Sequence, residues 1–355
     1  MQDLVYWHPM VQQPYQILYF GTYEADYPRN RLFITHLREQ GIRVATCHVP
    51  LWQNMEHKTH IARNPLRLLQ LSWRMLRNYT LLGWKLCRHH RQTDEIMVGY
   101  IGQLDVLFVW PFARIMRKKL SFNALISLYD TLVSDRKIFQ PRTLRAKTVW
   151  LLDWLAFHAA DEVIMDTQAH KAFLVQTFGV PREKITVKPV DAEAIFRPLP
   201  VKKTAQETAY FTVLFYGKFI PLQGIDTILR AMKLLEREKD IRLQLVGTGQ
   251  LYDDMRVLAQ ELGITAIEWI DWIPYEELPT YINKADLCLG IFGTSEKAAR
   301  VVPNKVWQCL RCGKHVITRT MPLPETHPLF AQVTYIEPNA LALAEAILAY
   351  RKNAH

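Results

Sequence analysis

Residues 290–318 read GIFGTSEKAARVVPNKVWQCLRCGKHVIT. Just upstream, Ala285-Asp286-Leu287-Cys288-Leu289-Gly290 is a mostly apolar run of strand length that ends on glycine. A polar loop follows. Pro303 then stands where a first helical residue is favoured, because its missing N–H costs nothing there. The helix is expected to run to about residue 311 and to stop at Gly313, with the next strand at 315–318. Strand, loop, helix and strand in this order make one repeat of a doubly wound parallel sheet.

The same alternation extends in both directions. Toward the C-terminus a last strand is expected near 333–336 and a final helix from about 340 to 350. Upstream lie strands at 212–215, 242–246 and 266–269, with helices at 224–236 and near 251–262. Pro198, Pro200 and the polar run 202–208 have the composition of a linker. Before it the alternation starts afresh: strands at 16–20, 43–49, 95–98, 106–109, 125–128, 162–165 and 185–188, with a helix at 31–40 after the break at Gly21. At 355 residues the chain is too long for one ordinary α/β domain and suits two. The fold class expected is α/β, two Rossmann-like doubly wound domains facing across a cleft. Their extents are 1–197 and 198–355, and the last helix, about 340–355, has the option of packing back on the first domain. Ligands in open α/β sheets bind at the carboxyl ends of the strands, which places the chemistry in that cleft.

Apolar residues make up 49% of the chain and charged residues 22%, a globular composition. The formal net charge is +10, and much of the excess lies between residues 57 and 93. Lys58, Arg63, Arg67, Arg74, Arg77, Lys85, Arg88 and Arg91 occur there with no acid among them. Asn64-Pro65 is a good helix start. On a helical wheel Arg63, Arg67, Arg74, Arg77, Lys85 and Arg88 fall within about 80°. Leu68, Leu69, Trp73, Met75, Leu76, Tyr79 and Leu86 take the remaining arc. A basic amphipathic region over 64–92 suits an anionic membrane surface, and equally a helix packed on the core with a solvated basic face. Cys47, Cys87, Cys288, Cys309 and Cys312 are scattered, and the Cys309–Cys312 pair lacks the second pair a zinc site needs. They are expected to be small buried hydrophobes in a reducing compartment, with no metal. The first residues lack a basic segment followed by an apolar one, and no window is apolar enough to span a bilayer. The expected location is cytoplasmic, with the option of a peripheral place on the membrane's cytoplasmic face.

The chemistry concentrates in the loop and helix first quoted. N–H groups at a helix start form an anion site. Arg300 lies just ahead of it and Lys305 in its first turn, a pair that suits a diphosphate whose negative charge grows as a glycosidic bond breaks. The same two bases would also fit an ordinary solvated surface loop. Asn304 and Gln308 are four apart and share a helix face, where Gln308 can bond a ribose hydroxyl.

This block resembles the donor-binding signature of family 4 glycosyltransferases, the retaining type with the GT-B architecture. Supporting pieces are Tyr216 to Asp226 (YGKFIPLQGID), Val246-Gly247-Thr248-Gly249, Asp271-Trp272-Ile273-Pro274 and Asn304-Lys305-Val306, in order and at family-like spacing. The resemblance runs from Gln16 to about Ile336. It implies a metal-independent transfer of a sugar from a nucleotide-sugar co-substrate to a hydroxyl of a glycan or lipid-linked acceptor, with no other cofactor. It also implies donor contacts from Gly21, Lys218, Gly247, Ile273, Arg300, Asn304, Lys305 and Gln308. The family's two glutamates fall on Arg300 and Gln308, and its phosphate-binding Arg and Lys on Lys218 and Gln223. Arg300 cannot imitate a carboxylate and suits phosphate instead. Glu296 is the nearest acid able to contact the sugar.

In the first half, the Gly21-Thr22-Tyr23 turn looks like the family's glycine loop near the donor phosphates. Ser127 to Thr131 (SLYDT) lies where many relatives carry a histidine–aspartate pair, with Tyr129 at the histidine and Asp130 matching. A carboxylate at a strand end can orient a hydroxyl or take its proton, and it can equally cap the next helix. Asp166-Thr167 ends another strand, and Arg29 or Asn30 can reach the cleft or serve a helix start. Three other functions compete: a non-catalytic nucleotide-sugar-binding protein, a nucleotide-sugar epimerase, and a nucleic-acid binder. Charge alone suggests the last, but no recognised module supports it and the bases lie on one leucine-rich helix, so no nucleic-acid partner is expected.

Overall fold

The computed structural model describes residues 15–25, 27–51, 65–321 and 328–354. The first half runs β1 (Gln16–Gly21), α1 (Pro28–Glu39), β2 (Arg43–His48), α2 (Pro65–His89), β3 (Glu95–Val98), α3 (Gln103–Ile115), β4 (Lys119–Asn123), α4 (Leu144–Ala159), β5 (Glu162–Met165), α5 (Gln168–Phe178) and β6 (Ile185–Val187). The second half runs α6 (Ala205–Thr208), β7 (Phe211–Tyr216), α7 (Ile225–Leu234), β8 (Ile241–Val246), α8 (Tyr252–Glu261), β9 (Ile267–Ile270), α9 (Leu278–Lys284), β10 (Leu287–Leu289), α10 (Asn304–Arg311), β11 (Val316–Arg319), β12 (Val333–Ile336) and α11 (Ala340–Ala354).

The strands form two six-stranded parallel sheets, ordered β2-β1-β3-β4-β5-β6 and β12-β11-β10-β7-β8-β9. Both are Rossmann-like and doubly wound, as the alternation of elements led one to expect. In the second sheet the winding reverses between β7 and β10, which pair directly. A crevice opens at the carboxyl ends of two strands wherever such a reversal occurs. The two loops that leave these ends, 217–224 and 290–303, therefore converge on one place.

The chain divides into two compact units. The first comprises 1–128, 147–165 and 171–188; the second comprises 129–146, 166–170 and 189–355. The boundary thus falls near 188 rather than 197, and two short segments of the first half group with the second unit. In that unit Leu343, Ala344 and Ile347 of α11 pack in one core cluster with Ile225, Ile228, Leu229 and Met232 of α7. The final helix completes that core.

Other expectations need correction. Residues 106–109 lie inside α3, not on a strand, and the strand expected at 125–128 is instead β4, at 119–123. Val106 to Phe112 (VLFVWPF) is a short apolar run, which hydrophobicity alone assigns equally to a strand or a buried helix. The linker holds α6, with Thr204 and Glu207 forming a reciprocal capping box. Cys47, Cys288, Cys309 and Cys312 are buried, whereas Cys87 is exposed.

Lys58, Arg63 and Asn64 lie outside the described residues, as does the Arg67 side chain. Asn78, Leu82 and Leu86 form the buried side of α2. Its outer face carries Trp73 (69% exposed), Leu76, Leu81 and Trp84 (58% exposed) together with Arg74, Arg77 and Arg88. The guanidinium of Arg88 stacks on the Trp84 ring at 4.6 Å. Lys85 leaves the basic stripe, because its Nζ donates to the His48 carbonyl at 2.9 Å. Among the described residues no helix is long and apolar enough to cross a membrane.

One buried carboxylate organises the end of β1. Asp105 accepts from the Thr22 N–H (2.7 Å), the Thr22 hydroxyl (3.1 Å) and the Tyr79 hydroxyl (2.9 Å). Gly21 has φ 132°, and a Cβ there would stand 2.4 Å from the Asp105 carboxylate. Burial raises the Asp105 carboxyl to about 6 despite these bonds. The native state therefore holds this proton more tightly than the unfolded chain, whose carboxyl titrates near 3.8. The group's contribution to stability is full below about pH 4 and is lost as pH rises through about 6. Asp105→Asn should remove that slope. Its unfolding free energy should move in its favour, relative to wild type, by up to about 3 kcal/mol between about pH 4 and 7. Urea denaturation at the two pH values measures this, and a difference independent of pH would refute it.

Candidate functional site

The site is built where β7 and β10 end. After Tyr216 the backbone turns at Gly217, which touches Gly247 at the end of β8: a Cβ on Gly247 (φ 128°) would stand 2.2 Å from the Gly217 carbonyl oxygen. Only glycine permits that approach. On the other side of Gly217 lies Lys305; a Cβ on Gly217 would stand 3.1 Å from its Nζ. Pro303 is the N-cap of α10 (φ −65°, ψ 146°), one position earlier than expected, so Asn304 is the first helical residue and Lys305 the second. No side chain caps this end. Val306 donates its N–H to the Pro303 carbonyl at 3.0 Å, which leaves the N–H groups of Asn304 and Lys305, the first two helical positions, to carry the partial positive charge beside the lysine.

Lys305 is 5% exposed. Its Nζ donates to Gln223 Oε1 at 2.6 Å and stands 3.6 Å from the centre of the Phe215 ring. Among the described residues no carboxylate pairs with it, and burial holds its pKa well below the usual lysine range. An amide oxygen and an aromatic face compensate an ammonium only partly. Lys218, the next residue after Gly217, also lacks an acidic partner among the described residues, and desolvation together with the nearby Arg136 guanidinium lowers its pKa. Asn304 is half-buried at the start of α10. Gln308 is buried and engaged at both ends of its amide: it accepts from the Tyr216 hydroxyl at 2.9 Å and donates to the Tyr275 hydroxyl at 3.0 Å. Tyr275 in turn bonds Glu193. Ile273 follows β9 and packs partly buried on the cluster of Tyr216, Val246 and Val306.

The loop after β10 is held by the two segments that join this unit from the first half. Arg300 Nη2 bonds Asp130 Oδ1 at 2.7 Å, and its Nη1 reaches Glu296 at 3.3 Å. Asp130 is 1% exposed, whereas the Glu296 side chain is 88% exposed. The expected phosphate cation and the two expected acids therefore meet, but as an ion-paired group. Tyr129 is half-buried and precedes a π-helical turn over Asp130–Asp135. Such turns are rare and recur at functional sites.

Four members of this cluster, Asp135, His170, Ser295 and Lys297, were not singled out in the sequence. Lys297 Nζ donates to the Thr131 hydroxyl at 2.7 Å, and Ser295 donates to Asp135 at 3.1 Å. Burial lowers the Lys297 pKa and raises that of Asp135. Thr167 donates to the Arg300 carbonyl at 2.7 Å. Asp166 bonds Nδ1 of His170 at 2.5 Å, and the other ring nitrogen of this buried histidine has no partner.

The remaining expected residues lie in the first unit. Gly21 and Thr22 enclose the Asp105 carboxylate, so the turn expected to approach phosphate already faces an anion. Arg29 is buried, donating to Asn123 Oδ1 and the Lys188 carbonyl, both at 2.8 Å. Asn30 bonds the Tyr19 hydroxyl at 2.8 Å and the Tyr100 backbone at 3.0 Å. Both tie α1 to its sheet.

Residues 210–353 match the family described as glycosyl transferases group 1. The chain is 21% identical over 272 residues to a protein of Pseudomonas aeruginosa named probable glycosyltransferase WbjE, covering 72% of this chain and 64% of that one. The match thus spans less than two thirds of that relative. Among solved structures, HepE of Anabaena in complex with UDP superposes with a TM-score of 0.64 at 15% identity, over 97% of this chain and 91% of that one. Sucrose-phosphate synthase from Thermosynechococcus elongatus gives 0.67 at 18% identity, over 97% and 90%. WaaG, a glycosyltransferase involved in lipopolysaccharide biosynthesis, gives 0.61 at 15% identity, over 96% and 93%. At these identities the likeness is one of fold. The chain accordingly has the α/β fold of GT-B glycosyltransferases, two parallel six-stranded sheets with flanking helices, and its residues 210–353 resemble the glycosyl transferases group 1 family.

Proposed function

We propose that this protein is a glycosyltransferase moving a sugar from a nucleotide-diphosphate sugar to a hydroxyl of a glycan or lipid-linked acceptor, with retention of configuration and without a metal. The observation that carries this reading is Lys305: a nearly buried ammonium with no carboxylate beside it among the described residues, at the start of α10, which no side chain caps, and against the glycine turn after β7. A diphosphate is the ligand such a place lacks. Its oxygens would accept from Lys305 and the helix N–H groups, and its growing charge would be stabilised as the glycosidic bond breaks. Retention, metal independence and the acceptor class follow from the likeness to family 4 enzymes. Complexes with UDP, and with UDP-glucose, among the structurally similar proteins point to UDP-sugars as the first donors to test.

The acceptor side belongs, in this reading, to the first unit. Exposed Trp73, Leu76 and Trp84 beside Arg77 and Arg88 suit the interface of an anionic bilayer, where aromatic rings sit among headgroups and guanidinium groups meet phosphates. A groove of about 430 Å³ between α2 and α3, walled by Leu76, Tyr79, Trp84, Phe108 and Phe112, would take an apolar chain.

A non-catalytic binding protein is the second reading, favoured by the engagement of Asp130 with Arg300. Transfer or hydrolysis of a bound UDP-sugar separates the two: wild-type turnover supports the enzyme, and donor binding with no turnover supports the alternative.

Lys305→Met keeps the packing on Phe215 and removes the charge. It should weaken UDP binding by roughly ten- to a hundredfold, the worth of a charge-assisted hydrogen bond. Affinity in the wild type should also fall as pH rises through the lowered lysine pKa, with proton uptake on binding seen by calorimetry. Undiminished binding by the methionine variant would remove the site. Arg300→Ala should act differently. It takes from the buried Asp130 carboxylate its bond to a guanidinium, so the chief effect should be a loss of stability, of up to about 3–5 kcal/mol. Chemical denaturation and UDP titration side by side check this division, and a large affinity loss with unchanged stability would contradict it.

For the membrane, Trp73→Ser with Trp84→Ser should lower sedimentation with anionic phosphatidylglycerol vesicles severalfold. Equal binding to neutral phosphatidylcholine vesicles, or no effect of the double change, would refute the contact.

A further inference from the structure

Arg136 has no assigned role, and its surroundings are unusual. It follows the π-helical turn over Asp130–Asp135, and the next residue, Lys137, has φ 51°, in the left-handed region that side chains seldom adopt. Non-standard backbone on both sides fixes where the guanidinium leaves the chain. Arg136 is half-buried, and its Nε is shielded from solvent without a hydrogen-bond partner. Among the described residues no carboxylate lies within ion-pair distance of it. Its neighbour in sequence, Asp135, feels the guanidinium charge but forms its hydrogen bond with Ser295 and makes no ion pair with Arg136.

Charge around it is unbalanced in one direction. Lys297 and Arg300 meet Asp130, Asp135 and Glu296 in the loop after β10, Arg136 lies among them near Lys297 and Lys218, and Lys305 stands against Gly217, the residue before Lys218. Asp166 adds a fourth acid, and it is tied to His170. Arg300 is the cation most fully neutralised, by Asp130 and Glu296, and Lys297 lies between Thr131 and the two buried aspartates. Among the described residues Arg136, Lys218 and Lys305 form no ion pair with an acid, and Arg136 stands close enough to Lys218 to repel its proton. Like charges held together in partly desolvated surroundings are stable when an anion completes the group, and a guanidinium fork matches two oxygens of one phosphate.

We infer that Arg136 is a diphosphate-binding residue of this protein, acting with Lys218 and Lys305 on the nucleoside diphosphate. This rests on the donor reading above and adds to it a cation contributed by the segment 129–146. Gln223, neutral and engaged with Lys305, supplies none of this charge, and Arg136 takes that part.

The test uses the full chain and isothermal titration with UDP, GDP and ADP, carrying the tightest forward. Arg136→Ala should weaken that nucleoside diphosphate about tenfold or more, and Arg136→Lys should recover part of the loss. The corresponding monophosphate should lose less, so the gap between diphosphate and monophosphate narrows. Circular dichroism and thermal melting confirm that each variant is folded; if the alanine variant is not, Arg136→Gln, which keeps the length and removes the charge, takes its place. Wild-type affinity for the diphosphate in a folded Arg136→Ala or Arg136→Gln variant overturns the inference while leaving the donor reading intact. Failure of the wild type to bind any of the three overturns both. Geranyl diphosphate serves as a second arm: a loss confined to it would place Arg136 on a lipid diphosphate and refute the nucleotide role.

Discussion

A lysine ammonium taken out of water and left without a carboxylate is an expensive feature, tolerated only where several other elements hold it. Lys305 is such a group. The Phe215 ring beneath it belongs to β7, the Gln223 amide that accepts from it belongs to the turn after β7, and its own backbone is the start of α10. The glycine contact between residues 217 and 247 allows the two strand ends to come close enough for this arrangement. Winding order, glycine placement and helix start thus converge on one cation. The reversal between β7 and β10 is what makes the convergence possible.

A second layer of charge surrounds it and is balanced differently. Arg300 and Asp130 form a pair that is largely removed from solvent, with Thr167 and Lys297 fastening the same loop to neighbouring segments. Breaking one partner of such a pair is costly because the other remains buried and charged. In the proposed reading this layer shapes the loop, while the cations without acids meet the ligand. That division separates residues whose loss should unfold the loop from residues whose loss should spare the fold and weaken binding.

Much of this was legible in the sequence where local rules decide. The strand at 162–165, the strand at 333–336 and the helix ending before Gly313 are set by short apolar runs bounded by breakers, and they stand where those rules put them. The place of Lys305 in the first turn of α10 was legible because a helix start at proline is a local signal. Residues 106–109 were not, because a run of Val, Leu and Phe packs equally well as a buried strand or one side of a helix. The pairing of Arg300 with Asp130 joins residues 170 apart, and no periodicity encodes it. Arg136 was not singled out for the same reason: what it faces across the fold is set by residues far from it in the chain, Lys218 among them. The outer face of α2 was half legible. A helical wheel separates bases from apolar residues, but only the packing of Asn78, Leu82 and Leu86 inward shows that Trp73 and Trp84 are left outside with the arginines.

The most direct experiment is a crystal structure of the full chain with a nucleoside diphosphate bound. Phosphate oxygens should lie within hydrogen-bond reach, about 2.7–3.2 Å, of the Lys305 ammonium and of the first N–H groups of α10. A nucleotide seated elsewhere on the molecule, with Lys305 still bonded only to Gln223 and capped by Phe215, would contradict the assignment.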